Sequence, residues 1–191
     1  MDGSLVLTLH AAGKAHDTKG AMIARVTGMN AAAGTHRFLA VYPNGADGTW
    51  HPSDGLPPGS VDDVVFLRTL IDALQTEYRV SGVFVVGYSA GGHLASTLVT
   101  HFDAGNPSAT DPVERHSSRP DLGILCYPVI SMTGPNVHEG SRRNLLGEDP
   151  PPQLVKSLSN ELQVTAQTPP CFIWHTYEDT GVKLENSIEF A

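Results

Sequence analysis

At 191 residues, 40% hydrophobic and 17% charged, the chain has the make-up of one layered domain rather than a disordered or fibrous segment. Its net charge of −8, with Arg142-Arg143 as the longest basic stretch, argues against a nucleic-acid partner, which needs a basic stripe. No apolar run approaches the ~18–20 residues that cross a bilayer, so no membrane partner is expected, and the apolar stretch 5–9 is too short for a signal-peptide core. As written, the sequence is expected to be cytoplasmic; a trimmed secreted protein would look the same.

Five short apolar runs punctuate the chain: 5–10 (LVLTLH), 38–42 (FLAVY), 83–87 (VFVVG), 122–127 (LGILCY) and 171–175 (CFIWH). Continuous rather than alternating apolarity means that both faces are covered, as in a parallel sheet. Helical patterns lie between the runs. Asp17 or Thr18 is expected to cap a helix reaching about Ala33, with Met22, Val26 and Met29 on one face. Ser60 and Asp63 have the spacing of a capping box. Val64, Leu67, Ile71, Leu74 and Tyr78 then form an amphipathic stripe. Further helices are expected over 90–102, 144–146 and 152–159, and from near Leu184. The two cysteines, Cys126 and Cys171, lie inside strand runs and read as buried reduced thiols. Segment 44–59, rich in Gly and Pro, and segment 103–120 read as long loops, which in a compact domain are functional or mobile. Asp62 and Asp63 read as charges that stabilise a helix N-terminus.

Strand–helix alternation implies an α/β fold with right-handed crossovers. The third run leads directly into Gly87-Tyr88-Ser89-Ala90-Gly91, a G-x-S-x-G match between a buried strand and a helix. In that context the turn is so tight that Ser89 must adopt a strained conformation. Gly87 and Gly91 have no Cβ to collide with the crossing backbone. The serine hydroxyl is pushed out above the sheet, and the Ala90 amide, at a helix N-terminus, faces the same space. Ser89 is therefore the expected nucleophile. The small residues Ala11, Ala12 and Gly13, after the first strand, would let backbone amides approach a substrate, and Ala12 is the expected second oxyanion donor.

Residues from about 83 on resemble bacterial acetylxylan-esterase-like and feruloyl-esterase-like α/β-hydrolases. The resemblance is carried by GYSAGGHLAS (87–96), THFDAGNP (100–107), SSRPD (117–121), CYPVISM (126–132), GSRRNLLGE (140–148) and HTYEDTGVKLENS (175–187). Residues 1–80 resemble instead the poly(3-hydroxybutyrate) depolymerase and feruloyl-esterase branch, through LHAAGK (9–14), VYPNGADGTW (41–50) and VDDVVFLRTLID (61–72). The resemblance implies a three-layer α/β-hydrolase core. Its mostly parallel five-stranded sheet has the order 2-1-3-4-5, as a single incomplete domain over 1–191 that lacks the last strand and helix. Ser89 then lies beside the point where the strand order reverses, where open α/β sheets bind ligands.

A serine hydrolase needs a base for the hydroxyl proton and an acid to orient that base, in the chain order Ser, Asp or Glu, His. The acid position of the family matches Asp179, with Glu178 as the alternative. All nine histidines precede Asp179, so the family's base has no counterpart among these residues. His10, His93 and His175 lie nearest the site in sequence, and each reads as structural. Trp50 and His51 are candidate pocket residues. No cofactor is expected, and no His, Cys or Asp cluster has metal-ligand spacing.

The expected reaction is hydrolysis of short acyl esters, acetyl or feruloyl esters of plant polysaccharide, through a Ser89 acyl-enzyme. The rival readings are a catalytically impaired hydrolase core that binds without turnover, and a polyhydroxyalkanoate depolymerase-like hydrolase. The strand at 171–175 is expected to be an apolar sheet edge able to pair with a second copy.

Overall fold

A computed structural model of the protein describes residues 3–12, 19–51, 61–111 and 113–191. Five strands form one sheet: β1 (Gly3–Leu9), β2 (Leu39–Val41), β3 (Val80–Tyr88), β4 (Leu122–Cys126) and β5 (Cys171–Trp174). Their order is β2-β1-β3-β4-β5 and all four pairings are parallel, as the family resemblance implies. The central strand β3 outgrows its apolar run. It is hydrogen-bonded to β1 on one side and β4 on the other, and the β1 ladder reaches back through Gly82 to Val80, with Ser81 left unpaired at a register shift.

One face of the sheet carries Leu5, Leu7, Leu9, Val83, Val85 and Leu125, each at most 2% exposed. Over it lie Val64, Leu67 and Ile71 of α3 (Asp63–Glu77) and Leu94 and Leu98 of α4 (Ala90–Thr100). Phe190 of α7 (Glu185–Phe190) closes the same core cluster. Burying each such side chain contributes roughly 1.5–3 kcal/mol, so this face carries most of the fold's cohesion. The opposite face is less covered. Phe172 and Trp174, alternate residues of β5, are 60% and 52% exposed. Among the described residues, no strand pairs with the outer side of β5.

Three local expectations are corrected. The helix expected up to about Ala33 is two helices, α1 (Lys19–Val26) and α2 (Met29–His36). Gly28, at φ 65°, breaks the spiral between them, a left-handed conformation that glycine adopts without strain. The break changes the buried face: Ile23 points inward, while Met22 and Val26 are 45% and 70% exposed. The expected caps Asp17 and Thr18 lie outside the described residues, as does Ser60. The N-cap of α3 is Asp62, whose carboxylate accepts a hydrogen bond from the Val65 amide at 2.9 Å. Asp63 is not a solvated dipole charge but a buried acceptor, 2.6 Å from the His51 amide.

Between β4 and β5 lie two short helices, α5 (Glu139–Leu146) and α6 (Pro152–Ser157). The first begins earlier than its apolar residues suggest, because the His138 ring caps it by accepting from the Ser141 amide at 3.1 Å. Cys126 and Cys171 are free and half-buried, and burial pushes both thiols up.

Candidate active site

Strand β3 ends at Tyr88 and α4 begins at Ala90, so a single residue makes the turn. Ser89 has φ 53° and ψ −114°, a conformation that a side-chain-bearing residue adopts only when its surroundings impose it. The imposition is visible. The Ser89 amide donates to the Cys126 carbonyl at 3.1 Å, and the Ser89 carbonyl accepts from the amides of His93 and Val129, both at 3.1 Å. A Cβ at Gly87 would strike the Gly91 backbone, one at Gly91 would strike the His10 and Leu9 carbonyls, and one at Gly92 would lie 2.8 Å from Pro128. Glycine at 87, 91 and 92 is thus what lets β1, β3 and the loop after β4 converge on the turn. The serine hydroxyl is not spent capping α4, unlike an ordinary N-cap serine.

A narrow pocket of about 40 Å³ opens beside the turn. Ala12, Thr49, Trp50, Ala90, His93, Leu94, Val129, Met132, Ser141, Asn144 and Leu145 line it. The expected oxyanion donors Ala12 and Ala90 therefore line the same cavity. Trp50 is 6% exposed and does more than line the pocket. Its indole N–H donates to the His10 carbonyl at 2.7 Å, and its ring stacks on the His10 imidazole at 4.4 Å. His10 Nε2 in turn accepts from the Gly45 amide at 3.2 Å. The turn after β1 is thereby braced by the loop after β2. His51 is not brought to this pocket; its ring faces Asp63 at 3.6 Å.

Asp179 follows β5 by five residues, on the same C-terminal edge of the sheet as Ser89. Its Oδ1 accepts from the amides of Gly181 and Val182 at 2.8 and 2.9 Å. The Val182 amide above all holds this carboxyl below the usual carboxylate range; the Gly181 amide and nearby His175 act in the same direction. His175 lies beneath it with its side chain 2% exposed, Nε2 3.5 Å from Asp179 Oδ2. That Nε2 also donates to the Val182 carbonyl at 2.9 Å, which leaves Nδ1 to accept from the Ser187 hydroxyl at 2.7 Å. One imidazole thus ties the end of β5, the Asp179 turn and α7 together. Glu178, the alternative acid, is exposed.

His93 is buried, 4% exposed, and burial pushes its imidazole down to about 4. Its Nδ1 lies 3.3 Å from the Val129 carbonyl. The sequence points to neither this bond nor the one that holds the loop after β4. There, the fully buried Asn186 uses its Oδ1 to accept from the amides of Ile130 and Ser131 at 3.0 and 3.1 Å. An asparagine inside a helical run carries no signal of such a distant partner. Among the described residues, no group of three His, Cys, Asp or Glu side chains could hold a metal ion.

A parallel sheet of this order, with a glycine-flanked, strained serine at the turn from β3 to α4, defines an α/β-hydrolase. Residues 58–191 match the BD-FAE family, and the chain belongs to that family. It is 44% identical over 136 residues to endo-1,4-beta-xylanase B of Butyrivibrio fibrisolvens, covering 69% of this chain and 21% of that protein. It is 33% identical over 145 residues to the acetylxylan esterase of Xylanibacter ruminicola, covering 73% of this chain and 27% of that protein. The chain therefore spans about a quarter or less of the length of these curated relatives. Among solved structures it resembles an acetyl ester-xyloside bifunctional hydrolase from Caldicellulosiruptor lactoaceticus. The TM-score is 0.78 and the identity 36%, over 99% of this chain and 67% of that one.

Proposed function

We propose that the protein hydrolyses short acyl esters, with acetyl groups on plant polysaccharide as the favoured substrate. Ser89 attacks the ester carbonyl as water takes its hydroxyl proton, the amides of Ala90 and Ala12 hold the oxyanion, Asp179 stands at the acid position, the leaving alkoxide takes a proton from water, and a further water releases the acyl group as a carboxylic acid. The observation that carries this reading is the strained Ser89 turn, whose next residue, Ala90, lines a small pocket together with Ala12. Strain of this kind costs about 1–3 kcal/mol and persists where function requires it. The relatives named for acetyl esters and xylan support the choice of substrate. A pocket of about 40 Å³ suits acetyl better than the bulkier feruloyl group.

A second reading, a hydrolase core that binds with little turnover, is favoured by the histidines. His93 is tied to Val129, His175 to Val182 and Ser187, and His10 to Gly45. His10 and His175 would have to give up these bonds to take the Ser89 proton, and burial holds the His93 imidazole down to about 4, which makes it a weak base. Loss of a triad histidine lowers kcat by about 10⁶ and leaves about 10³–10⁴ over water.

The test is hydrolysis of acetyl, butyryl and palmitoyl p-nitrophenyl esters by the chain and its Ser89→Ala variant, with fluorophosphonate adducts mapped by mass spectrometry. Acetyl is expected to react fastest and Ser89 to carry the adduct. Preference for palmitoyl, or labelling elsewhere with Ser89 untouched in folded protein, refutes the esterase reading. Weak turnover that still requires Ser89 selects the second reading.

A further inference from the structure

The turn after β1 carries the second oxyanion donor, yet its small residues give the backbone no direction of their own. Ala11 is half-buried and Ala12 exposed, and among the described residues the Ala12 amide donates to no acceptor. Of the described residues of this turn, only His10 is fully buried. Its Nδ1 lies 2.9 Å from the Ala11 carbonyl, and a carbonyl can only accept, so the imidazole proton sits on Nδ1. Nε2 is then the bare nitrogen that accepts from the Gly45 amide at 3.2 Å. Both ring nitrogens agree on one tautomer. The bond to Ala11 acts one atom further on. In a trans peptide the N–H points opposite to the C=O of the same unit, so the ring that holds the Ala11 carbonyl also sets where the Ala12 N–H points.

His10 is itself held by Trp50. The indole N–H grips the His10 carbonyl at 2.7 Å, and the indole stacks on the imidazole at 4.4 Å with 26° between the rings. One side chain thus fixes both the backbone and the ring of the same residue. The His10 carbonyl also abuts Gly91, where an added Cβ would come within 2.4 Å of it. Gly91 follows Ala90, so the carbonyl that Trp50 holds is packed on the first turn of α4, beside the other donor. We propose that Trp50 is a positioning residue for the oxyanion site: through His10 it sets the Ala11–Ala12 peptide so that the amides of Ala12 and Ala90 serve one oxyanion. The inference rests on the reading of Ser89 as the attacking group. A residue that only lines the pocket contributes alike to bound substrate and to transition state, whereas an amide aimed at the developing oxyanion acts on the transition state alone. Trp50 therefore acts on kcat.

Two replacements separate the grip from the wall. Trp50→Phe keeps a ring to stack and loses the N–H; the benzothiophene analogue of tryptophan at position 50 loses the N–H and keeps the shape as well. Each 191-residue chain is assayed for kcat and KM on p-nitrophenyl acetate and for the maximal rate of Ser89 phosphonylation by a fluorophosphonate. In ¹⁵N-labelled samples the His10 ring nitrogens report the tautomer, and the residual dipolar coupling of the Ala12 N–H reports its direction. Loss of a whole oxyanion donor lowers kcat by about 10²–10³, and a misaimed one is expected to lower it by about tenfold with KM within about twofold. The phosphonylation rate should fall in parallel. The Ala12 coupling should change in both replacements, and wild-type His10 should be protonated at Nδ1. An unchanged kcat in the folded variants, a loss carried by KM alone, an unchanged Ala12 coupling, or wild-type His10 protonated at Nε2 each overturns the proposal. Should Trp50→Phe not fold, the analogue decides alone. Ser89→Ala, assayed beside wild type, keeps the two readings apart. Turnover that survives Ser89→Ala, or a wild type with neither turnover nor labelling, refutes the hydrolase and the oxyanion role with it. Turnover that requires Ser89 and is indifferent to Trp50 refutes the positioning role alone.

Discussion

Two turns on the C-terminal edge of the sheet, one after β3 and one after β5, are built by opposite means. The turn at Ser89 is a backbone construction. Its shape follows from three glycines that permit close approach and from main-chain hydrogen bonds to Cys126, His93 and Val129. The turn at Asp179 is a side-chain construction. A carboxylate caps two amides, and an imidazole and a hydroxyl lock it to α7. The difference teaches where precision resides. A backbone turn tolerates no added atom, whereas a side-chain network loses its members one hydrogen bond at a time.

The largest effect is therefore expected from Gly91→Ala. The new methyl would overlap two backbone carbonyls, of Leu9 at the end of β1 and of His10 just after it, which the packed turn holds in place. A loss of more than about 3 kcal/mol in urea unfolding is expected, along with loss of Ser89 labelling. A stable, labelled variant would show that the elbow is looser than its geometry implies.

Next comes acid. His93, on the helix that leaves the Ser89 turn, falls from 6.5 to about 4 on burial. Its folded pKa lies below the unfolded one, so the unfolded chain takes up the proton first as pH drops. Stability is complete above about 6.5 and falls as the pH descends toward about 4, by up to about 3 kcal/mol. Asp179 responds lower. Its folded pKa is depressed, so its contribution is present above the ordinary 3.8 and is lost as the pH falls through the depressed value. Urea unfolding from pH 7 to pH 3, repeated with His93→Gln, should flatten the upper part of this fall and leave the lower part.

Asp179→Ala removes the acceptor of two backbone amides and is expected to cost about 1–2 kcal/mol, with faster hydrogen exchange at Gly181 and Val182 and unchanged exchange in α4. Spread of fast exchange to the Ser89 turn would show that the two turns are coupled. The smallest effect belongs to Ser187→Ala. It removes one hydrogen bond to His175 Nδ1 and should cost about 0.5–1 kcal/mol. The Val182 carbonyl still holds the Nε2 proton, so the imidazole's tautomer should stay the same in a ¹⁵N spectrum.

The same contrast governs what could be read in advance. The Ser89 turn was legible because a local pattern, buried strand then Gly-x-Ser-x-Gly then helix, leaves the backbone one sterically allowed course. The strands and the stripe Val64, Leu67, Ile71 were legible for a similar reason: periodic apolarity reports which face must leave water. Trp50 was ambiguous. A tryptophan in a Gly- and Pro-rich segment gives no sign that it will stack on a histidine forty residues earlier.

By itself, then, the sequence determined the sheet, its strand order through a family resemblance, and the position of the serine. These depend on burial and on short-range sterics, which neighbouring residues encode. Only the tertiary structure decided that Gly28 splits the first helix, that Asp63 is buried against His51, that His175 and Ser187 brace Asp179, and that His93 is buried against the Val129 carbonyl. Each of these depends on which polar atoms meet once the strands are side by side. A hydrogen bond between residues far apart in the chain leaves no periodicity for a sequence to display.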